Sequence, residues 1–265
     1  MNIILFKREF KGNYKLILIF IAVITLYSSM IVAMFDPKLG ESLEIMSKSM
    51  PNLFSAFGMS KVSTTLTGFI STYLYGFILI AFPLIFIIIL SNRLVALYVD
   101  KGSMAYILAT PNKRRKIVLT QGLFMAISIL ILVIYAVLIC IVVSEIMFPG
   151  KLNIKNFIFI NIGLYGLLFF FGGLCFLSSC SFSDTRFSYG FGGGFSVLFV
   201  LINMLSQVGE KFENLKYLTP LTLFQSDKLG LGDTNVLKLS FILYIIGLLL
   251  YCVGGYIFTR RDLSL

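Results

Sequence analysis

Residues 117–144 read IVLTQGLFMAISILILVIYAVLICIVVS, and this run contains no Asp, Glu, Lys or Arg. A helix needs roughly 17 to 25 predominantly apolar residues to cross the hydrocarbon core of a bilayer. The run is long enough, so it is predicted to be a transmembrane helix. We therefore expect much of the chain to be surrounded by lipid rather than by water.

Five further runs also lack charged residues and are long enough to cross a bilayer. The composition agrees, because 58% of the residues are hydrophobic and only 13% are charged. A soluble domain of this length needs far more charge to cover its surface. The sequence predicts an all-α membrane protein with six transmembrane helices, over residues 16–34, 67–92, 117–144, 157–180, 187–207 and 239–259.

The loops between these runs differ strongly in charge. The N-terminus, residues 93–116, residues 181–186 and the C-terminus carry thirteen of the 22 Lys and Arg residues but four of the 12 Asp and Glu residues. The other three loops carry nearly balanced charge. Since cytoplasmic loops carry the excess of Lys and Arg, both termini are predicted to be cytoplasmic.

The N-terminal segment has an amphipathic pattern. Ile3, Phe6, Phe10 and Tyr14 recur at helical spacing, and lysines lie on the other faces. This pattern predicts an interfacial helix over residues 1–15 on an anionic membrane surface, ahead of a single six-helix domain over residues 16–265. A generic positive-inside anchor explains the same residues equally well.

Two of the loops predicted to be extracellular are too apolar to be simply solvated. In the first loop, residues 41–50 place Leu43, Met46 and Met50 at helical spacing. In the third loop, apolar residues surround a proline, and the candidates are Leu218, Pro220, Leu221 and Phe224. Both segments are interpreted as short helices on or dipping into the outer interface, with packing over the helix ends as the alternative.

Glycine placement predicts close helix packing. Gly190 and Gly194 form a GxxxG pattern, and Gly172-Gly173 and Gly254-Gly255 mark two other spans. Small residues let helix backbones approach one another within a chain or between protomers. Gly190 and Gly194 are therefore candidates for internal packing or for a dimer contact.

The predicted cytoplasmic loop between the second and third spans carries a specific pattern. Ser103 can cap a short helix in which Met104, Ile107 and Leu108 form one apolar patch, and Pro111 ends it. Such a helix, held by two membrane helices, can dock into a groove of a cytoplasmic partner and transmit its movement. The alternative is a basic anchor whose helix rests on lipid headgroups.

The sequence lacks residues that several classes of membrane protein need for their function. The chain has no histidine, its four cysteines all lie in apolar runs, and its spans carry no ionisable side chain other than Tyr and Cys. Proton-coupled carriers, voltage sensors and intramembrane hydrolases need such groups at membrane depth. No phosphate-binding GxxxxGK[ST] motif occurs either, so an energised function requires a separate nucleotide-hydrolysing partner. No catalytic residue and no metal site is predicted.

The loop sequence resembles a known family. Residues 100–114, DKGSMAYILATPNKR, are similar to the corresponding loop of permease subunits of type-2 ATP-binding-cassette (ABC) exporters: an acidic residue, a glycine, a short apolar segment, a Leu-x-x-Pro turn and a basic residue. The ending FTRRDL at residues 258–263 resembles the exit from the last helix of that family. The chain departs from the family at Gln121, where many relatives carry a lysine, and in having a lone Asp100 rather than a Glu-rich run.

The resemblance implies a permease that assembles with two ABC ATPase subunits and a second copy or a homologous permease in the bacterial plasma membrane. ATP and Mg²⁺ would bind in the ATPases, with no cofactor in this chain and no nucleic-acid partner. The substrate would be a hydrophobic drug or an amphipathic or antimicrobial peptide, exported along a lateral or central path that the spans open, and membrane lipid would be a further partner. The implied coupling helix comprises Asp100, Lys101, Gly102, Ser103, Met104, Tyr106, Ile107, Leu108, Pro111 and Arg114.

Two other functions remain open from the residues alone. A membrane-embedded peptide sensor or immunity protein would bind a peptide with the same outer segments and would signal without transport. A sodium-coupled carrier or passive channel would move a solute without any partner, because backbone and hydroxyl groups can coordinate sodium.

Overall fold

The computed structural model describes residues 2–35, 49–57, 65–104, 113–208 and 210–261. Within these ranges the regular structure is helical and no strand occurs. The helices are α1 (Ile3–Ala33), α2 (Pro51–Ala56), α3 (Leu66–Asp100), α4 (Arg114–Met147), α5 (Ile154–Ser181), α6 (Thr185–Ser206), α7 (Ser226–Gly230) and α8 (Thr234–Arg260). Two 3₁₀ helices, Glu210–Leu218 and Pro220–Leu223, lie between α6 and α7.

Six of the helices, α1, α3, α4, α5, α6 and α8, are long and apolar enough to cross a membrane. The prediction of an all-α protein with six spans is confirmed, although several boundaries differ. The largest difference is in α3, which does not end near Asn92 but continues to Asp100. One exposed arginine, Arg93, does not interrupt a helix whose next residues, Leu94, Val95 and Ala96, are fully buried.

Helix α1 joins the predicted interfacial segment to the first span without a break. The Asn2 side chain caps it by accepting hydrogen bonds from the backbone amides of Ile4 and Leu5. The face packed against the rest of the protein contains Glu9 and Asn13, while Phe10 of the predicted apolar face is exposed. That exposure suits contact with lipid, and the interfacial position of residues 1–15 stays a prediction.

Helix α5 is the centre of the molecule. It contacts α3, α4, α6 and α8, and most of its residues are buried. Its sequence is apolar on all sides, as expected of a helix surrounded by others. Because α5 contacts four of the other five spans, it holds most of the bundle together.

Helices α5 and α8 pack in parallel through glycines spaced by seven residues. A Cβ built on Gly173 of α5 would lie 2.7 Å from the carbonyl oxygen of Gly247 of α8. A Cβ built on Gly254 would lie 3.0 Å from the Cα of Leu177. Only glycine permits such close backbone approach, so Gly173 and Gly254 serve packing within the chain.

Three π-helical turns interrupt the spans, at Leu74–Ile78 and Asn92–Ala96 in α3 and at Tyr189–Gly193 in α6. The first turn places the buried hydroxyl of Tyr75 where it donates to Asn161 Oδ1 of α5, at 2.8 Å. The third brings the amide of Gly192 to 3.1 Å from Ser178 Oγ of α5. These two hydrogen bonds fix α3 and α6 against α5.

Candidate functional site

The predicted coupling segment starts where α3 ends. Gly102 has a φ of +66°, a left-handed conformation that favours glycine, and its amide donates to the carbonyl of Val99 at 2.9 Å. The hydroxyl of Ser103 donates to the carbonyl of Tyr98 at 3.2 Å. The glycine of the motif therefore ends α3 and sets the direction in which the chain leaves it.

The same corner is tied to α6. Thr185 Oγ1, in the first turn of α6, donates to Asp100 Oδ2 at 2.8 Å. The Asp100 carboxylate thus fixes the end of α3 to the start of α6. A lone acidic residue is sufficient for that contact.

Met104 has a different role from the one its spacing predicted. Its side chain is fully buried within its own chain, so it is not available to a partner. The predicted apolar patch therefore reduces to Ile107 and Leu108. These two residues, with Tyr106 and Pro111, lie outside the described residues. Lys101 is exposed at the end of α3.

Two arginines fix the other end of the coupling segment, where α4 begins. Arg114, the first residue of α4, donates from its guanidinium to the carbonyl of Arg261 at 3.0 Å. Arg261, just after α8, donates in turn to the carbonyl of Cys180 at 3.2 Å and to Ser183 Oγ. These bonds join α4, α8 and the end of α5. Sequence reasoning placed Arg261 in an exit motif but gave it no partner, because nothing in the local pattern indicates contacts this distant along the chain.

A second connection joins α1 to α3. The Glu9 carboxyl is buried, with 2% of its surface exposed, and lies near the side chain of Tyr98. The guanidinium of Arg8 lies 6.0 Å from the centre of the Tyr98 ring. From the sequence alone, Glu9 is only one of the charged residues that precede the first span. The signal that could have found it is its helical spacing from Leu5 and Asn13, which are buried on the same face.

The opposite end of the molecule contains a cleft of about 610 Å³. The start of α3, the end of α6 and the segment between α6 and α8 line it. Its charged lining residues are Glu213, Lys216, Asp227 and Lys228, and amides and hydroxyls line much of the remainder. Lys216 Nζ lies 2.6 Å from Glu213 Oε1, and this hydrogen-bonded ion pair lowers the pKa of the Glu213 carboxyl. The cleft is open and polar, with charge of both signs.

The predicted outer segments are only partly described. Leu221 and Phe224 are buried, Pro220 begins a 3₁₀ helix, and the side chain of Leu218 is 64% exposed. A Cβ on Gly163 of α5 would lie 3.0 Å from the Phe224 ring, so the segment packs over α5. This agrees with the alternative in which the segment covers helix ends. In the first outer loop, residues 41–48 lie outside the described residues.

Gly190 and Gly194 face open space, since a Cβ on either would meet no atom within 4 Å. They therefore make no close contact within the described part of the chain. Internal packing does not explain the GxxxG pattern, which leaves lipid or a second protomer as its neighbour.

A family model described as an ABC-2 family transporter protein matches residues 3–263, nearly the whole chain. No curated protein matches the sequence. The match covers all six spans and confirms the resemblance drawn from residues 100–114. Members of the family are the membrane-spanning permeases of ABC transporters and work with ATPase subunits. The chain belongs to the ABC-2 family of transporter proteins, as a multi-pass permease.

Proposed function

We propose that this permease exports an amphipathic peptide and is driven by two separate ATPase subunits, which move the segment between α3 and α4. Residues 105–108 would dock into a groove of the ATPase on the cytoplasmic side. ATP and Mg²⁺ would bind in the ATPase. A second permease copy or a homologue would complete the pathway.

This proposal rests on how the segment between α3 and α4, the α3–α4 hairpin, is attached to the helical bundle. One end is bonded to α6 through Asp100 and Thr185, and the other to α8 through Arg114. Arg261 extends the second connection to the end of α5. Because both ends are held by directional hydrogen bonds, a displacement of the hairpin by a partner would be transmitted to three spans.

The charged outer cleft supports a peptide substrate over an uncharged hydrophobic drug. Two carboxylates and two ammonium groups line it, with the amides of Asn203, Gln207 and Gln225. A peptide offers charges, amides and carbonyls that complement such a lining, whereas an uncharged hydrophobic drug offers few polar groups. The apolar face of an amphipathic peptide could remain in contact with lipid beside the spans.

The docking surface is tested by a double substitution, Ile107→Asp with Leu108→Asp. A buried charge in a docked helix is strongly unfavourable, so the ATPase should no longer co-purify with the permease. The matched control is Tyr217→Asp with Leu231→Asp, which changes two exposed apolar residues at the opposite end. Retention of the ATPase by the first variant would contradict the assignment of the hairpin.

A peptide sensor is the second candidate, because the same outer cleft could bind a peptide without moving it. The two functions differ in whether the peptide is transported across the membrane. A sensor would bind the labelled peptide in vesicles and show no ATP-dependent accumulation, whereas the proposed exporter shows both.

A further inference from the structure

A second crevice lies between α4 and α8, at the ends of these helices nearest the basic termini. Its volume is about 590 Å³, and its walls include Val118, Leu119, Val253 and Tyr256. Arg115 also lines it. The proposed transport function uses none of these residues. The crevice is apolar along its length and cationic at one end.

A glycine keeps this crevice open. Gly255 lines it, and a Cβ at that position would first meet Val118 Cγ1, at 3.8 Å. That is ordinary contact, so no backbone crowding requires the glycine. A larger side chain at Gly255 would project into the space. The volume of about 590 Å³ is large enough for part of a linear chain, and the missing side chain at Gly255 leaves this space unfilled.

Two arginines at the basic end have no acidic partner within the part of the chain that the structure describes. In the described ranges, neither Arg115 nor Arg260 pairs with a carboxylate, and the Arg115 side chain is exposed. The guanidinium of Arg260 lies 5.4 Å from the centre of the Tyr256 ring, which itself lines the crevice. Guanidinium groups bind phosphate oxygens through directional, charge-assisted hydrogen bonds.

We propose that this crevice binds one anionic phospholipid from the adjoining leaflet. Its acyl chain would lie between α4 and α8, and its phosphate would contact Arg115 and Arg260. A basic pocket between membrane helices has the chemistry that recognises anionic headgroups. A free anion could use the arginines but would leave the apolar walls uncovered. A neutral lipid would cover the walls but leave the positive charge of the arginines uncompensated.

The sequence allows a direct test, because the chain contains no tryptophan. A Leu119→Trp variant places one fluorophore in the crevice wall. Brominated phosphatidylglycerol and brominated phosphatidylcholine are compared as quenchers in otherwise identical vesicles. We expect several-fold preferential quenching by the anionic lipid. A control tryptophan at Phe195, an exposed position on α6, should show no comparable preference.

Variants in the Leu119→Trp background separate a lipid site from general surface charge. Arg115→Gln and Arg260→Gln should each reduce the preference, whereas Arg93→Gln removes the same charge from another exposed position on the basic side and should retain it. Gly255→Leu should abolish the preference with both arginines present. Equal quenching by the two lipids, or a preference that survives Gly255→Leu, would overturn the proposal.

Discussion

At the residue scale, the end of α3 depends on a single left-handed glycine. Gly102 has the space for a Cβ, since none would meet an atom within 4 Å, so conformation is what favours glycine there. A left-handed residue with a side chain costs about 1–2 kcal/mol. The corner that directs the coupling segment is therefore sensitive to one methyl group.

We expect Gly102→Ala to lower the free energy of unfolding of the purified permease by about 1 kcal/mol, because the left-handed backbone conformation is unfavourable for alanine. Thermal unfolding in detergent measures this. Gly12→Ala is the matched control, since Gly12 also has free space but lies within α1 at an ordinary helical φ. Equal stability of the two variants would show that the left-handed conformation is unimportant.

Arg261 joins more elements than its sequence position indicated. Arg261→Gln should destabilise the protein by about 1–3 kcal/mol, because the carbonyl of Cys180 and the hydroxyl of Ser183 lose a charged donor. It should also reduce ATPase stimulation by substrate. Arg186→Gln, at an exposed position, is the control. An unchanged melting temperature for Arg261→Gln would contradict the role of these bonds.

At the element scale, the number and type of helices could be predicted from sequence because lipid imposes a simple rule of length and polarity. The end of α3 could not, since a charged residue such as Arg93 usually marks the end of a span, although its neighbours here are apolar. A charge on an exposed face interrupts neither helical hydrogen bonds nor packing. Likewise, the continuity of α1 follows from the absence of any helix breaker between the predicted interfacial helix and span.

The two classes of glycine in the spans can be distinguished by substitution. Gly173→Leu should weaken the packing of α5 against α8 and lower thermal stability by several degrees, because Gly247 leaves no room. Gly194→Leu has open space around it and should leave the isolated chain folded. If Gly194 lies between protomers, cross-linking of the permease dimer should fall. A Gly173→Leu variant with unchanged thermal stability would contradict the close packing of α5 against α8.

At the scale of the whole molecule, the family of the chain was predictable from its sequence and the long-range contacts were not. The motif at residues 100–114 pointed to the correct family because local spacing carries that information. The buried position of Met104 and the contact between Glu9 and Tyr98 depend on how distant helices meet. No local pattern encodes those contacts, so only the assembled bundle shows them.

The central claim is that this chain moves its substrate only when a separate ATPase moves the α3–α4 hairpin. The most direct measurement is uptake of a labelled amphipathic peptide into proteoliposomes that contain the purified permease, with and without its ATPase and with ATP outside. We predict accumulation only when permease, ATPase and ATP are all present. Uphill accumulation by the permease alone would contradict the claim.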